Sequence, residues 1–165
     1  MKAGDNVRFE TGADMLTITP FLWFDNQAEE AMNYYATVFP RAKKLAVRRA
    51  GGHVMGVEFE LEGQKFIGLN GGPAHKFNHA VSFFVGCETQ GQIDVLWDKL
   101  IGDGGVADQC GWLKDKFGLS WQIVPNVLMS LLSTGDDRGQ RAMQAMLKMH
   151  KLEIATLQAA FDSVS

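Results

Sequence analysis

Trp112-Leu113-Lys114-Asp115-Lys116-Phe117-Gly118-Leu119-Ser120-Trp121-Gln122-Ile123-Val124-Pro125 is the stretch that decides the fold. Two apolar segments flank Asp-Lys-Phe-Gly, a turn composition, so the segment reads as a hairpin running into a strand that Gln122 alone interrupts. Working back from it, Val106 to Cys110 is predicted as a short strand, Thr89 to Ile101 as a helix with Ile93, Leu96, Trp97 and Leu100 on one face, and His79 to Val85 as a strand. The order is strand, helix, three strands.

The preceding half has the same order. Met15 to Phe24 is rich in β-branched and aromatic residues, and Pro20 within it points to an edge position or a bulge. Asp25 or Asn26 can cap a helix carrying Ala28, Ala31, Met32, Tyr35, Val38 and Phe39. Strands are predicted at Ala42 to Arg49, His53 to Glu62 and Gln64 to Asn70. An offset of 62 pairs Phe21 with Phe83, Ala31 with Ile93, Tyr35 with Trp97 and Val38 with Leu100, as an internal duplication would. The predicted class is α+β, with two tandem βαβββ modules (15–70 and 79–125) forming a cup-shaped mixed sheet. Residues 1–14 form an N-terminal extension, and 126–165 a C-terminal helical segment with Met143, Met146 and Leu147 on one stripe and Ile154, Leu157 and Phe161 on another.

At 165 residues, 46% hydrophobic and 21% charged, the chain can bury one core. Its net charge of -3 supplies no positive field for a phosphate backbone, so nucleic acid is not an expected partner. No apolar run reaches the about eighteen residues that a membrane span requires, and the first residues lack a secretory signal, so a cytoplasmic location is expected. Cys87 and Cys110 have neither CxxC spacing nor an adjacent His, the mark of two free thiols and not of a metal or redox pair.

Several segments extend this pattern to a family. Phe66-Ile67-Gly68-Leu69-Asn70-Gly71-Gly72-Pro73, Ala80 to Val85, Trp97-Asp98-Lys99-Leu100, Cys110 to Gly118, Ser120 to Pro125 and the tail around Met143 to Ile154 resemble the PhnB-like branch of the vicinal-oxygen-chelate superfamily, which includes glyoxalase I, extradiol dioxygenases and bleomycin-resistance proteins. Members are often labelled demethylubiquinone methyltransferases. S-adenosylmethionine sites usually place a Gly-rich turn between a parallel strand and a helix, whereas Gly102-Asp103-Gly104-Gly105 follows a helix, so methyl transfer is not expected.

In metal-dependent relatives the ligands come from the opening and closing strands of each module. That resemblance makes Gln122 and His79 the metal candidates of the second module. Thr17 or Ile18 and Ile67 stand at the corresponding places of the first. With hydrocarbon at half of these positions, a divalent metal would need Asn70, Glu58 or a partner chain to complete its set. His53, His75 and His150 have no carboxylate at an orienting spacing. Asp136-Asp137 reads as a helix cap, and Glu58, Glu60 and Glu62 as a solvated strand face. No nucleophile stands beside a base, and no catalytic residue is assigned.

What remains is binding. Trp23, Phe66, Phe83, Trp112 and Trp121 are the large residues available to line a cup, with Gln122 and Asn70 as polar anchors, a composition suited to an apolar or aromatic small molecule. About half of the aromatics are expected in the core alone. The alternative is a metal-dependent lyase, isomerase or dioxygenase acting on a small oxygenated substrate. By resemblance the chain should form a homodimer.

Overall fold

A computed structural model describes residues 16–163, so the predicted 1–14 extension lies outside the described residues. The first module comprises β1 (Phe21–Phe24), α1 (Ala28–Val38), β2 (Lys43–Ala50), β3 (His53–Leu61) and β4 (Gln64–Asn70). In the second are β5 (Ser82–Cys87), α2 (Gln90–Ile101), β6 (Val106–Ala107), β7 (Trp112–Lys114) and β8 (Ser120–Pro125); α3 (Val127–Leu132), α4 (Asp137–Met146) and α5 (Ile154–Asp162) follow. This is the α+β class with tandem βαβββ modules and C-terminal helices. The strands fall into two four-stranded mixed sheets, ordered β1-β4-β3-β2 and β5-β8-β7-β6, with the opening strand of each module parallel to its closing strand.

Alternation along the strands sorts side chains by face. Val57, Phe59 and Leu61 of β3 and Phe66 of β4 turn toward α1; Leu113, Trp121 and Ile123 turn toward α2. These helix-bearing faces share one core, where Phe39 meets Trp121 with ring centroids 5.2 Å apart and Phe66 meets Phe83 at 5.0 Å. The face of each sheet turned away from its helix, the outer face, is therefore left open. The C-terminal helices build a second cluster on Val124, Leu128, Leu131, Leu152 and Leu157, which covers the Val124 end of the second outer face.

Three sequence expectations change. Neither Asp25 nor Asn26 caps α1: the residue before it is Gln27, and the first helical N–H, that of Ala28, is met by Asn70 Oδ1 from β4 at 2.8 Å. His79 precedes β5 and is not part of it. The 62-residue offset holds for the helices but slips by one in the opening strands, because three residues separate β1 from α1 and two separate β5 from α2. Phe24 and Cys87 are the true equivalents, each accepting at its carbonyl from the residue after its closing strand, Gly71 or Asn126. Phe21 consequently lies on the outer face, whereas Phe83 joins the core.

Elsewhere local chemistry acts as read. Pro20 adjoins β1, an edge strand. Asp136 caps α4 by accepting from Gly139 N–H at 3.1 Å; the reciprocal capping box of Thr89 and Gln92 on α2 is a feature not among the sequence expectations.

Candidate functional site

Because Trp121 and Ile123 face the core, Gln122 faces outward. Sheet register sets Phe84 beside it on β5 and Trp112 beside it on β7, so a row Phe84, Gln122, Trp112 crosses the outer face. The next row on that face is Ser82, Ser120, Lys114. Gln122 Nε2 donates to Ser82 Oγ at 2.8 Å, which fixes the amide and leaves Oε1 without a partner among the described residues. Phe84, 57% exposed, and the half-buried Trp112 flank that fixed amide.

His79 reaches the same face from the loop before β5. Its Nδ1 lies 3.5 Å from Ser120 Oγ, its Nε2 3.8 Å from Asp108 Oδ2, and its ring centroid 6.0 Å from that of Trp112. A Ser, a His and an Asp in line invite comparison with a nucleophile system. Ser120 is wholly buried, however, and both spacings exceed good hydrogen-bond distance, so no substrate carbonyl can reach an activated hydroxyl here.

The remaining pocket candidates lie elsewhere. Phe66, Phe83 and Trp121 do come together, but on the helix-bearing side, where they floor a cleft of about 850 Å³ between the modules. Phe66 and Trp121 are core residues. The polar groups at the cleft rim serve the fold: Arg41 pairs with Glu62, Gln92 closes the α2 capping box, and Asn126 donates to Glu88. Trp23 is on the first outer face but is held by its Nε1–H donating to Gly72 O at 2.8 Å and by an edge contact to His75. Asn70 is not an outer-face anchor, since its oxygen takes the Ala28 N–H and its amide donates to Val54 O at 3.0 Å, on the helix side of the sheet.

The electrostatics of the first outer face are internal. Glu58 pairs with Arg48 and with Lys65, and Glu60 with Lys43, a ladder in which the Arg48 and Lys65 hydrogen bonds hold the Glu58 carboxyl down at about 2. In the core, Asp115 accepts from Tyr35 Oη (2.7 Å), Trp121 Nε1 (2.9 Å), Phe117 N (2.9 Å) and Leu119 N (3.0 Å). Burial raises its pKa, and these donors oppose the rise. Burial likewise pushes the Cys87 thiol up to about 11, which makes it an inert packing group.

The donor set does not fit a catalytic divalent metal. Ile67 is the sheet equivalent of Gln122, Glu58 is already engaged by two cations, and no three His, Cys, Asp or Glu side chains cluster among the described residues. Nor do the turns opening α1 and α2, Asp25-Asn26-Gln27 and Glu88-Thr89, contain the glycines of a nucleotide-type cofactor loop. Sequence reading passed over Ser82, Asp108 and Lys114 on the second outer face. Lys114 was within reach, since it alternates with Trp112 in the hairpin that Gln122 anchors.

Residues 16–124 match the family model described as 3-demethylubiquinone-9 3-methyltransferase. Among solved structures, a putative 3-demethylubiquinone-9 3-methyltransferase, PhnB protein, from Bacillus cereus is 34% identical, with a TM-score of 0.60 over 67% of this chain and 99% of its own. A protein from Pseudomonas aeruginosa, 16% identical, shares the fold at a TM-score of 0.55 over 67% of this chain and 98% of its own. A glyoxalase/bleomycin-resistance protein/dioxygenase domain from Frankia aligns at 13% identity and a TM-score of 0.46, over 66% and 90%. No curated protein matches the chain. The hairpin motif, the paired βαβββ modules, the family-model match and the likeness to the Bacillus cereus structure lead to one conclusion: the chain belongs to the PhnB-like family described as 3-demethylubiquinone-9 3-methyltransferase.

Proposed function

We propose that this protein binds an apolar or aromatic small molecule on the outer face of its second module, in a cup that a second copy of the chain completes. One observation carries the reading: an amide held rigid by Ser82, its carbonyl oxygen unpartnered within the described residues, stands between the solvent-facing aromatics Phe84 and Trp112. Aromatic walls with one fixed hydrogen-bonding group are the usual make-up of a small-molecule site. A second copy is required because the two outer faces lie on opposite sides of a shared core and cannot close a cup alone. Phe21, Val81 and Phe84 are exposed on or beside the edge strands β1 and β5, where such a copy would seat.

His79 on the same face is the observation favouring the metal-dependent lyase, isomerase or dioxygenase reading, but Ile67 and the paired Glu58 deny it a ligand set. Methyl transfer, the activity in the family's description, lacks a cofactor loop. No described helix is long and apolar enough to cross a membrane. The buried, inert Cys87 and the absence of a disulfide between the free cysteines suit the reducing cytoplasm.

The test is titration of 1-anilinonaphthalene-8-sulfonate and 2-naphthol into the protein, followed by fluorescence. Gln122→Ala and Trp112→Ala should each weaken 2-naphthol binding about tenfold or more, the loss expected for one hydrogen bond or one aromatic wall. Equal binding to both variants would move the ligand elsewhere, the intermodule cleft being the first place to look.

A further inference from the structure

The second outer face carries a charge that the binding reading does not use. Lys114 stands across from Ser120, one row from Gln122 and on the same side of β7 as Trp112. It is half-buried, yet no carboxylate lies within ion-pair distance of its ammonium among the described residues. The cations of the first outer face differ: Lys43, Arg48 and Lys65 are all matched to Glu58 or Glu60. Asp108, which follows β6, faces His79 Nε2 at 3.8 Å and accepts from Gln109 N at 2.7 Å.

We infer that the ligand of this face is a planar aromatic acid whose carboxylate is met by Lys114, an inference that rests on the binding reading above and specifies its ligand class. Neighbouring strands are about 5 Å apart and same-face residues on one strand about 7 Å. A carboxylate beside Lys114 therefore puts an attached ring system over Gln122 and toward Phe84 and Trp112. The polar valences agree. Lys114 Nζ and Trp112 Nε1 offer donors, and Gln122 Oε1 offers one acceptor, which a ring hydroxyl next to the carboxylate satisfies. A neutral aromatic would leave a half-buried ammonium unmatched, and a cation would be repelled by it.

The experiment compares 3-hydroxy-2-naphthoate with its neutral isostere 3-hydroxy-2-naphthamide by fluorescence titration at low and high salt. The naphthoate should bind about tenfold more tightly at low salt, with the difference shrinking as salt rises. Lys114→Met should abolish the preference and Lys114→Arg should retain it; circular dichroism checks that both variants fold. Equal affinities for the two probes, or a preference that survives in Lys114→Met, would overturn the assignment of an acid and leave the binding reading intact. Failure of both probes to bind at millimolar concentration would overturn both readings.

Discussion

Asp115 is the residue on which the two modules meet. Four donors from two elements and a turn converge on a carboxylate that has no cation paired with it among the described residues, and one of them, Tyr35, comes from the other module. An amide in its place keeps one acceptor oxygen and turns an NH₂ toward groups that are themselves donors. Asp115→Asn should therefore cost about 3 kcal/mol of unfolding free energy, and Tyr35→Phe about 1 kcal/mol, by urea denaturation. A silent Asp115→Asn would show that this network carries no stability. The neighbouring phenols set an alkaline limit. Burial, then the Asp115 charge, pushes Tyr34 up to about 12 and Tyr35 well above the usual tyrosine value. Both folded pKa values exceed the unfolded one near 10, so their contribution is complete below pH 10 and is lost as pH rises through the folded values. The urea midpoint should fall as pH rises from about 10 toward about 12, and less steeply in Tyr34→Phe. A flat profile across that interval would contradict the burial of these groups.

At the scale of elements, α1 starts where Asn70 of β4 meets it, and not at a cap of its own sequence. Asn70→Ala strands the Ala28 N–H and the Val54 carbonyl, so stability should drop by about 2 kcal/mol while 2-naphthol affinity stays unchanged. Loss of affinity with intact stability would restore Asn70 as a ligand anchor. This also shows how far the sequence could be read. The strand-helix-three-strand order was legible because apolar periodicity belongs to each element separately, and the Asp136 cap was legible because a cap and its helix are neighbours in the chain. A cap supplied from 42 residues away leaves no local mark. The slip of one residue between Phe21 and Phe83 was hidden for a related reason: both are Phe, and only the shorter β5–α2 turn reveals that they face opposite ways. Phe66, Phe83 and Trp121 were read as residues available to line a cup, and composition does not say on which side of a sheet such residues stand. The outer-face polar row of Ser82, Gln122 and Lys114 depends on register between three strands, which no single segment records.

For the molecule as a whole, exposed Phe21 (58%) and Phe84 (57%) on outer strands are costly in a monomer. Light scattering at micromolar concentration should give twice the chain mass, and Phe21→Glu with Phe84→Glu should halve it without loss of secondary structure. A wild-type monomer would remove the second copy from the proposed site.

The Tyr35–Asp115 contact exists once, although the modules repeat. Trp97 occupies the place of Tyr35 in α2 and offers no phenol. Two modules of one design thus fit each other here as a lock and its key. A chimera of two second modules would bury an acid facing an indole at the seam, and one of two first modules would bring the phenol without this acid, so neither half can stand in for the other.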